Sequence, residues 1–190
     1  MKPFFANLYQ ECTRNPLPER KRLLKLDGDG QSLKVVLGLG KLKSCDFLTS
    51  KNGVYRLIEV SDIKAQACDL KTQTSCINID ELKLSLKSTL TSRDYKKMVK
   101  KLDKCFGYEE VIVSELLDKY IQSLVILNAL QKAKQLNERK NHFVVVFCQF
   151  DPADVIAFDF IAARLTENLK GLADKVQVIG LQYVQSKLTA

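Results

Sequence analysis

The sequence has few histidines, no long apolar run and no paired cysteine spacing, and these absences argue against several common classes of protein. It contains a single histidine, His142, so a Ser-His or Cys-His nucleophile pair could only be built on that residue, and no pattern around it supports one. The longest apolar run, residues 143–150, is far too short to cross a bilayer, so we expect no membrane partner. Six cysteines are present without the spacing of a zinc site or a disulfide framework. We therefore expect reduced thiols and an intracellular protein, cytoplasmic or nuclear.

Positive charge is concentrated in the first part of the chain. Residues 1–106 hold 21 lysines and arginines against 12 aspartates and glutamates, a net charge of +9, whereas residues 107–190 have a net charge of −1. A polyanion is the expected partner of such a positively charged region, and nucleic acid is a commoner partner than an anionic membrane surface. The alternative is a solvated lysine-rich surface. No RNA-recognition aromatic signature and no helix-turn-helix is present, so base-specific recognition is not expected, and DNA is expected ahead of RNA.

Turn residues and apolar periodicity predict a mixed α/β protein. The expected elements, in chain order, are helices up to residue 26, strands at 33–39, 42–50 and 54–63, helices at 80–105 (with one break near Ser92) and 108–136, a buried strand at 143–150, a helix at 151–169 and a strand at 176–184. This order predicts an α/β fold leaning towards α+β, with an N-terminal antiparallel meander in a mixed sheet flanked by helices. Without repeats or low-complexity linkers, residues 1–190 are expected to form a single domain.

Two carboxylates lie near the facing parts of the predicted hairpin, which an Asn-Gly turn closes. Asp46 stands just before an apolar pair, and Glu59 interrupts an otherwise apolar strand. Carboxylates on neighbouring strands can converge on one divalent ion, and Mg²⁺ prefers oxygen ligands. The structural alternative is that Asp46 caps a turn while Glu59 faces solvent, paired with Arg56 or Lys34.

The element order and the two hairpin acids resemble the PD-(D/E)XK nuclease superfamily over roughly residues 3–150. The core of that family is a helix, a three-stranded meander, a helix and a further strand, with one acid near a hairpin strand and a (D/E)-x-K motif on the next. The resemblance implies a restriction-endonuclease-like fold and cleavage of phosphodiesters with Mg²⁺ or Mn²⁺. Asp46 and Glu59 would then be both metal ligands and catalytic residues. Glu11 would be a further metal-side acid from the first helix, with a surface role as the alternative.

The sequence departs from the family pattern at the motif lysine. Ser61 stands two positions after Glu59, and its hydroxyl cannot supply the positive charge with which the family's lysine positions or deprotonates water. Lys64, at the end of the strand, is the candidate catalytic replacement. Lys119 is a second candidate if its helix packs beside the hairpin.

A lysine-rich helix is a candidate nucleic-acid surface. Residues 93–104 have an apolar stripe on one side and lysines over much of the rest. Four of these lysines are the predicted phosphate contacts: Lys96, Lys97, Lys100 and Lys101. Such a face neutralises several phosphates and gives salt-dependent binding without sequence preference. A solvated helix face is the alternative.

The sequence therefore supports two functions. The first is a nucleic-acid-binding protein of nuclease fold, a candidate divalent-metal-dependent endonuclease or exonuclease. The second is a catalytically inactive relative of such enzymes that acts as a protein-interaction or scaffolding module. In that case the helices at 80–136 and the neutral second half would serve a homodimer or another protein partner.

Overall fold

A computed structural model of the protein describes residues 23–28, 32–51, 53–63, 65–66, 68–69, 78–132, 140–149 and 155–183. The predicted first helix, with Glu11, lies outside these residues. So do Lys64 and the predicted start of a helix at Asp151.

Five strands form one mixed sheet whose spatial order is the same as the chain order. They are β1 (Leu24–Lys25), β2 (Phe47–Lys51), β3 (Val54–Ser61), β4 (Lys140–Phe147) and β5 (Lys175–Gly180). β2 pairs antiparallel with β1 and with β3, whereas β4 pairs parallel with β3 and with β5. The predicted mixed sheet, antiparallel at its start and parallel afterwards, is confirmed.

β2 and β3 form the hairpin that the Asn-Gly sequence predicts. Phe47 pairs with Ile58 and Lys51 pairs with Val54, which leaves a two-residue connection. Gly53 has a φ of +75°, in the left-handed region that glycine adopts without steric cost. The turn therefore fixes the register, and with it the face of the sheet to which each side chain points.

Five α-helices have both ends within the described residues. They are α1 (Leu33–Val36), α2 (Ile79–Thr89), α3 (Ser92–Phe106), α4 (Tyr108–Lys132) and α5 (Val155–Asn168). The break predicted near Ser92 is present because Thr91 caps α3, its side chain accepting from the backbone N–H of Asp94 at 3.3 Å. Among these described helices, none combines the length and the apolar character needed to span a bilayer.

The strand predicted at residues 33–39 is wrong. This segment is the short helix α1 followed by turns, closed by hydrogen bonds such as that from the Leu37 N–H to the Leu33 carbonyl oxygen at 3.0 Å. Leu33 is fully buried, but Val35 and Val36 are 44% and 47% exposed, so these apolar side chains do not form one buried face of a strand. The first strand of the antiparallel meander is instead β1, at Leu24–Lys25, so the helix predicted up to residue 26 is wrong at these two residues.

The sheet carries one apolar cluster on each face. The first cluster combines sheet residues such as Leu57, Phe143 and Val145 with Tyr120 of α4 and Ile161 of α5. The second cluster lies on the other face and consists of Leu23, Phe47, Ile58, Val144, Val146, Ile179 and Leu181. Successive residues of β4 alternate between the clusters, as expected for an interior strand buried on both faces.

The cysteines only partly follow the expectation of reduced thiols. Cys45 and Cys68 are not oxidised. Cys148, just after β4, is disulfide-bonded, so the expectation is wrong at that position. The intracellular location stays a prediction.

Hydrogen exchange provides the test of this sheet. Val144, Val145 and Val146 are fully buried and β4 is paired on both sides, so their amides are expected to be among the most protected in the chain. The amides of β1, a two-residue edge strand, serve as the internal comparison and are expected to exchange faster. Rapid exchange in β4 would contradict its interior position.

Candidate active site

The hairpin brings Asp46 and Glu59 to the same face of the sheet. Phe47 pairs with Ile58, and continuing this register by one residue places Asp46 opposite Glu59. Both side chains then lie on the face that α4 covers, since Leu57 and Leu48, each two residues away on its strand, belong to the first apolar cluster. Asp46 and Glu59 are called the carboxylate pair below.

Asp46 is held by its own strand neighbours. Its carbonyl oxygen accepts from the Leu26 N–H at 2.8 Å, which continues the pairing of β1 with β2. Its carboxylate oxygen Oδ2 accepts from the Val60 N–H at 2.8 Å. The carboxylate is therefore fixed against the backbone of β3, directly beside Glu59.

Glu59 is buried and paired with a lysine from α4. The residue is 1% exposed, and the Nζ atom of Lys119 donates to its Oε1 atom at 2.5 Å. The other oxygen, Oε2, is buried and has no hydrogen-bond partner in the described part of the chain. The alternative of a solvent-facing Glu59 paired with Arg56 or Lys34 is wrong, because Glu59 is buried and pairs with Lys119, while Lys34 pairs with Asp27.

One face of α4 carries three polar side chains that form part of this site. Glu115, Lys119 and Ser123 follow each other at intervals of four residues and so share a face. Glu115 Oε1 lies 3.4 Å from Lys119 Nζ. Ser123 Oγ donates to the Lys119 carbonyl oxygen at 2.7 Å and accepts from the Cys45 N–H at 2.8 Å. These two hydrogen bonds attach α4 to Cys45, the residue just before Asp46. They thereby fix the position of Lys119 relative to the sheet.

The electrostatics of the site follow from burial. Burial raises the pKa of Glu59 from an ordinary value of 4.5 to about 8, Asp46 adds to the rise, and Lys119 opposes it. Burial also disfavours the charge of Lys119, but the attraction of Glu59 outweighs it and raises the pKa of Lys119. Burial and then Glu59 raise the pKa of the Cys45 thiol, which stays protonated. The site thus holds a permanent ammonium group beside a carboxyl group that titrates near neutral pH.

A cleft of about 600 Å³ opens beside the same helix. Its polar lining includes Lys43, Glu110, Glu115, Asp118 and Arg164. Glu115 lines the cleft and also pairs with Lys119, whereas Lys119 and the carboxylate pair do not line it.

The donor set fits a hard divalent cation held by few protein ligands. Within the described residues, no cluster of three or more acidic, histidine or cysteine side chains is present. Mg²⁺, however, is commonly bound by one or two carboxylates together with water and substrate phosphate. The unpartnered Oε2 atom of Glu59, beside Asp46, has the free lone pairs that such an ion requires.

The remaining predicted residues lie in different surroundings. Ser61, two positions after Glu59, is 2% exposed, and its hydroxyl donates to the Gln66 Oε1 atom at 2.8 Å. Glu11 and Lys64 lie outside the described residues, so the structure does not compare Lys64 with Lys119. The four predicted phosphate contacts Lys96, Lys97, Lys100 and Lys101 are all exposed on α3.

Sequence reasoning missed three residues of the site. Glu115, Ser123 and Cys45 contribute an acid, a helix anchor and a buried thiol, and none of them was singled out. The spacing of Glu115, Lys119 and Ser123 was a usable signal, because intervals of four residues place an acid, a lysine and a serine on one face of the predicted helix.

The raised pKa of Glu59 gives a pH dependence of stability. Between about pH 4.5 and pH 8 the folded protein keeps a proton on Glu59 that the unfolded chain releases, so the free energy of unfolding falls as pH rises through this window. Glu59→Gln removes this fall, which is on the order of a few kcal/mol at 1.4 kcal/mol per pKa unit. We therefore expect the melting temperature of Glu59→Gln, relative to the wild type, to rise from pH 5 to pH 9. Glu167→Gln, at an exposed position, is the control, and parallel profiles for wild type and Glu59→Gln would contradict the assignment.

Comparison with known proteins adds no family to this geometry. No family model, no curated protein and no solved structure matches the chain. The case for a function therefore rests on the carboxylate pair, Lys119 and the charge distribution of the chain.

Proposed function

We propose that the protein is a nucleic-acid-binding, divalent-metal-dependent phosphodiesterase with a restriction-endonuclease-like fold. The single observation that carries this proposal is the contact of Lys119 with Glu59 at 2.5 Å, next to Asp46. An acid pair with a lysine is the residue set of the PD-(D/E)XK site. Here the lysine comes from a helix instead of from the strand position that Ser61 occupies.

The sheet topology supports the proposal. Three antiparallel strands, β1 to β3, are followed by helices and then by β4, parallel to β3. This is the element order that the family resemblance implies after its first helix. The acids occupy the implied places as well, because Asp46 stands at the start of one hairpin strand and Glu59 lies within the next.

Each residue of the site has a role that its surroundings support. Asp46 and Glu59 would hold Mg²⁺ or Mn²⁺, which polarises the scissile phosphate and lowers the pKa of bound water. Lys119 is a cation at all physiological pH values, so it stabilises negative charge and orients the attacking water through its N–H groups. Glu115 forms a second ion pair with the ammonium group of Lys119, and this pair restricts the position of the lysine side chain. Cys45, with its protonated thiol, serves in packing.

The exposed lysines of α3 supply a binding surface for the polymer. Lys96, Lys97, Lys100 and Lys101 project from a helix that packs against α4, the helix of the catalytic lysine. Contacts with phosphates release counterions and need no base recognition. DNA is the proposed partner ahead of RNA.

Metal and cleavage assays test the catalytic proposal. Mg²⁺ or Mn²⁺ is expected to raise the melting temperature of the native protein, and to raise it more at pH 9 than at pH 6, because protons and the cation compete for Glu59. Asp46→Asn is expected to abolish this rise. Cleavage of DNA is expected to fall about 100-fold or more in Asp46→Asn, Glu59→Gln and Lys119→Met, while DNA binding persists.

A matched control separates this result from loss of folding. Glu167→Gln changes an exposed acid of α5 and should leave metal response and cleavage unchanged. If metal leaves the melting curve of the wild type unchanged and no polynucleotide is cut, the catalytic proposal is wrong.

The salt dependence of binding tests the role of α3. Reversing the charges of Lys96, Lys97, Lys100 and Lys101 should reduce the slope of log affinity against log salt by about 3 to 4, since each phosphate contact contributes about 0.9. The matched control reverses four exposed lysines elsewhere: Lys41, Lys87, Lys132 and Lys170. Equal loss in both quadruple variants would show that net charge, and not α3, determines the affinity.

A second candidate function is a protein-interaction module, and the exposed face of α5 favours it. Val155, Ile156 and Phe160 are 41%, 83% and 39% exposed, which is unusual for large apolar side chains on one short stretch of helix. Light scattering tests this function. Self-association that increases with concentration and is lost in Ile156→Glu would support it, provided that the protein cuts no nucleic acid.

A further inference from the structure

Cationic side chains occupy neighbouring positions on three adjacent strands, on the sheet face opposite the carboxylate pair. Arg56 of β3 pairs in register with His142 of β4, and His142 pairs with Lys175 of β5. Arg56 shares its face with Ile58, and His142 shares its face with Val144, both members of the second apolar cluster. Since neighbouring strands lie about 4.8 Å apart, the three side chains form a row about 10 Å long. We call Arg56, His142 and Lys175 the cationic row.

Arg56 has hydrogen-bonding capacity that the described protein does not use. Its Nη1 atom is buried and has no hydrogen-bond partner in the described part of the chain. A buried guanidinium N–H group without an acceptor is costly, and such groups in native proteins usually meet a water molecule or an ion. An anion with oxygen acceptors would satisfy this atom.

The surroundings of His142 are dominated by positive charge. Burial lowers its pKa, and Arg56, Lys175 and Lys140 act in the same direction against one acid, Asp174. The carboxylate of Asp174 is already engaged, since its Oδ2 atom accepts a backbone N–H of β4 at 2.7 Å. Within the residues that the structure describes, no carboxylate forms an ion pair with any member of the cationic row.

We propose that Arg56, His142 and Lys175 form a phosphate-binding site that is separate from the carboxylate pair. Arg56 and Lys175 place two positive charges on either side of His142, and their combined field attracts an anion. A phosphate group suits the row because its several oxygens accept from a planar guanidinium and from further donors at once. The ligand is a phosphate group, either of a small phosphate ester or of a nucleic-acid backbone.

The single histidine gives a direct readout of this site. His142 is the only histidine of the chain, so its ring signals in the NMR spectrum need no assignment by mutation. Inorganic phosphate, titrated against sodium chloride at equal ionic strength, is expected to shift the ring signals saturably and to raise the pKa of His142. Phosphate that shifts these signals no more than chloride does would overturn the site.

Three variants locate the binding. Arg56→Gln should weaken phosphate binding about tenfold or more, as expected for loss of a charge-assisted hydrogen bond. Lys175→Gln changes an exposed residue, so it should keep the fold and weaken binding by a smaller factor. Lys87→Gln on α2 is the control and should have no effect. Unchanged phosphate affinity in both Arg56→Gln and Lys175→Gln would contradict the site.

The source of the phosphate and the independence of the site are tested in the same way. If a short oligonucleotide saturates the His142 shift at a lower concentration than inorganic phosphate, the phosphate belongs to a nucleic-acid backbone, and the reverse order assigns a small phosphate ester. Asp46→Asn should leave the His142 response intact. Retained cleavage in Asp46→Asn with an intact His142 response would contradict the catalytic proposal alone.

Discussion

The buried contact between Glu59 and Lys119 is the constraint on which the rest of the structure depends. A carboxylate that is 1% exposed is strongly disfavoured unless a cation or a proton compensates it. Lys119 provides the cation at 2.5 Å, and the raised pKa of Glu59 shows that the compensation is incomplete. An apolar pair of similar volume would often be as stable or more stable. The presence of Glu59 and Lys119 beside the apolar core is therefore better explained by function than by stability.

This pair requires helix α4 and the hairpin to keep a fixed relative position. Ser123 meets that requirement by joining the Lys119 carbonyl to the Cys45 N–H, one residue before Asp46. Tyr120, the next residue after the lysine, packs against Phe143 of β4 with ring centroids 4.8 Å apart. Polar and aromatic contacts thus hold the same turn of the helix against the sheet, and the site is built on rigid elements.

The two faces of the sheet carry different chemistry for a simple geometric reason. Side chains alternate along β3, so Glu59 points towards α4 while Arg56, three residues earlier, points to the opposite face. An acidic site and a cationic row can therefore share one strand without neutralising each other. The first depends on a lysine from a helix, whereas the second depends only on the register of three strands.

The sequence by itself determined the local features of this protein. The hairpin turn, the buried strand β4 and the break before Ser92 are each specified by a few adjacent residues, through turn geometry, an unbroken apolar run and a helix cap. The placement of Asp46 and Glu59 on one face followed from the same turn. The strand predicted at 33–39 was wrong because apolar letters alone do not distinguish a strand from a short helix with one buried leucine.

Only the tertiary structure showed that Lys119 contacts Glu59. Lys119 is sixty residues from Glu59 in the chain, and nothing in local spacing ranks it above Lys64. Its position depends on how α4 crosses the sheet, which the packing of Tyr120 and its apolar neighbours on the first cluster determines. The cationic row is likewise invisible in the sequence, because Arg56, His142 and Lys175 become neighbours only through the parallel register of β3, β4 and β5. Local chemistry is encoded by adjacent residues, whereas a site is assembled by long-range packing and strand pairing.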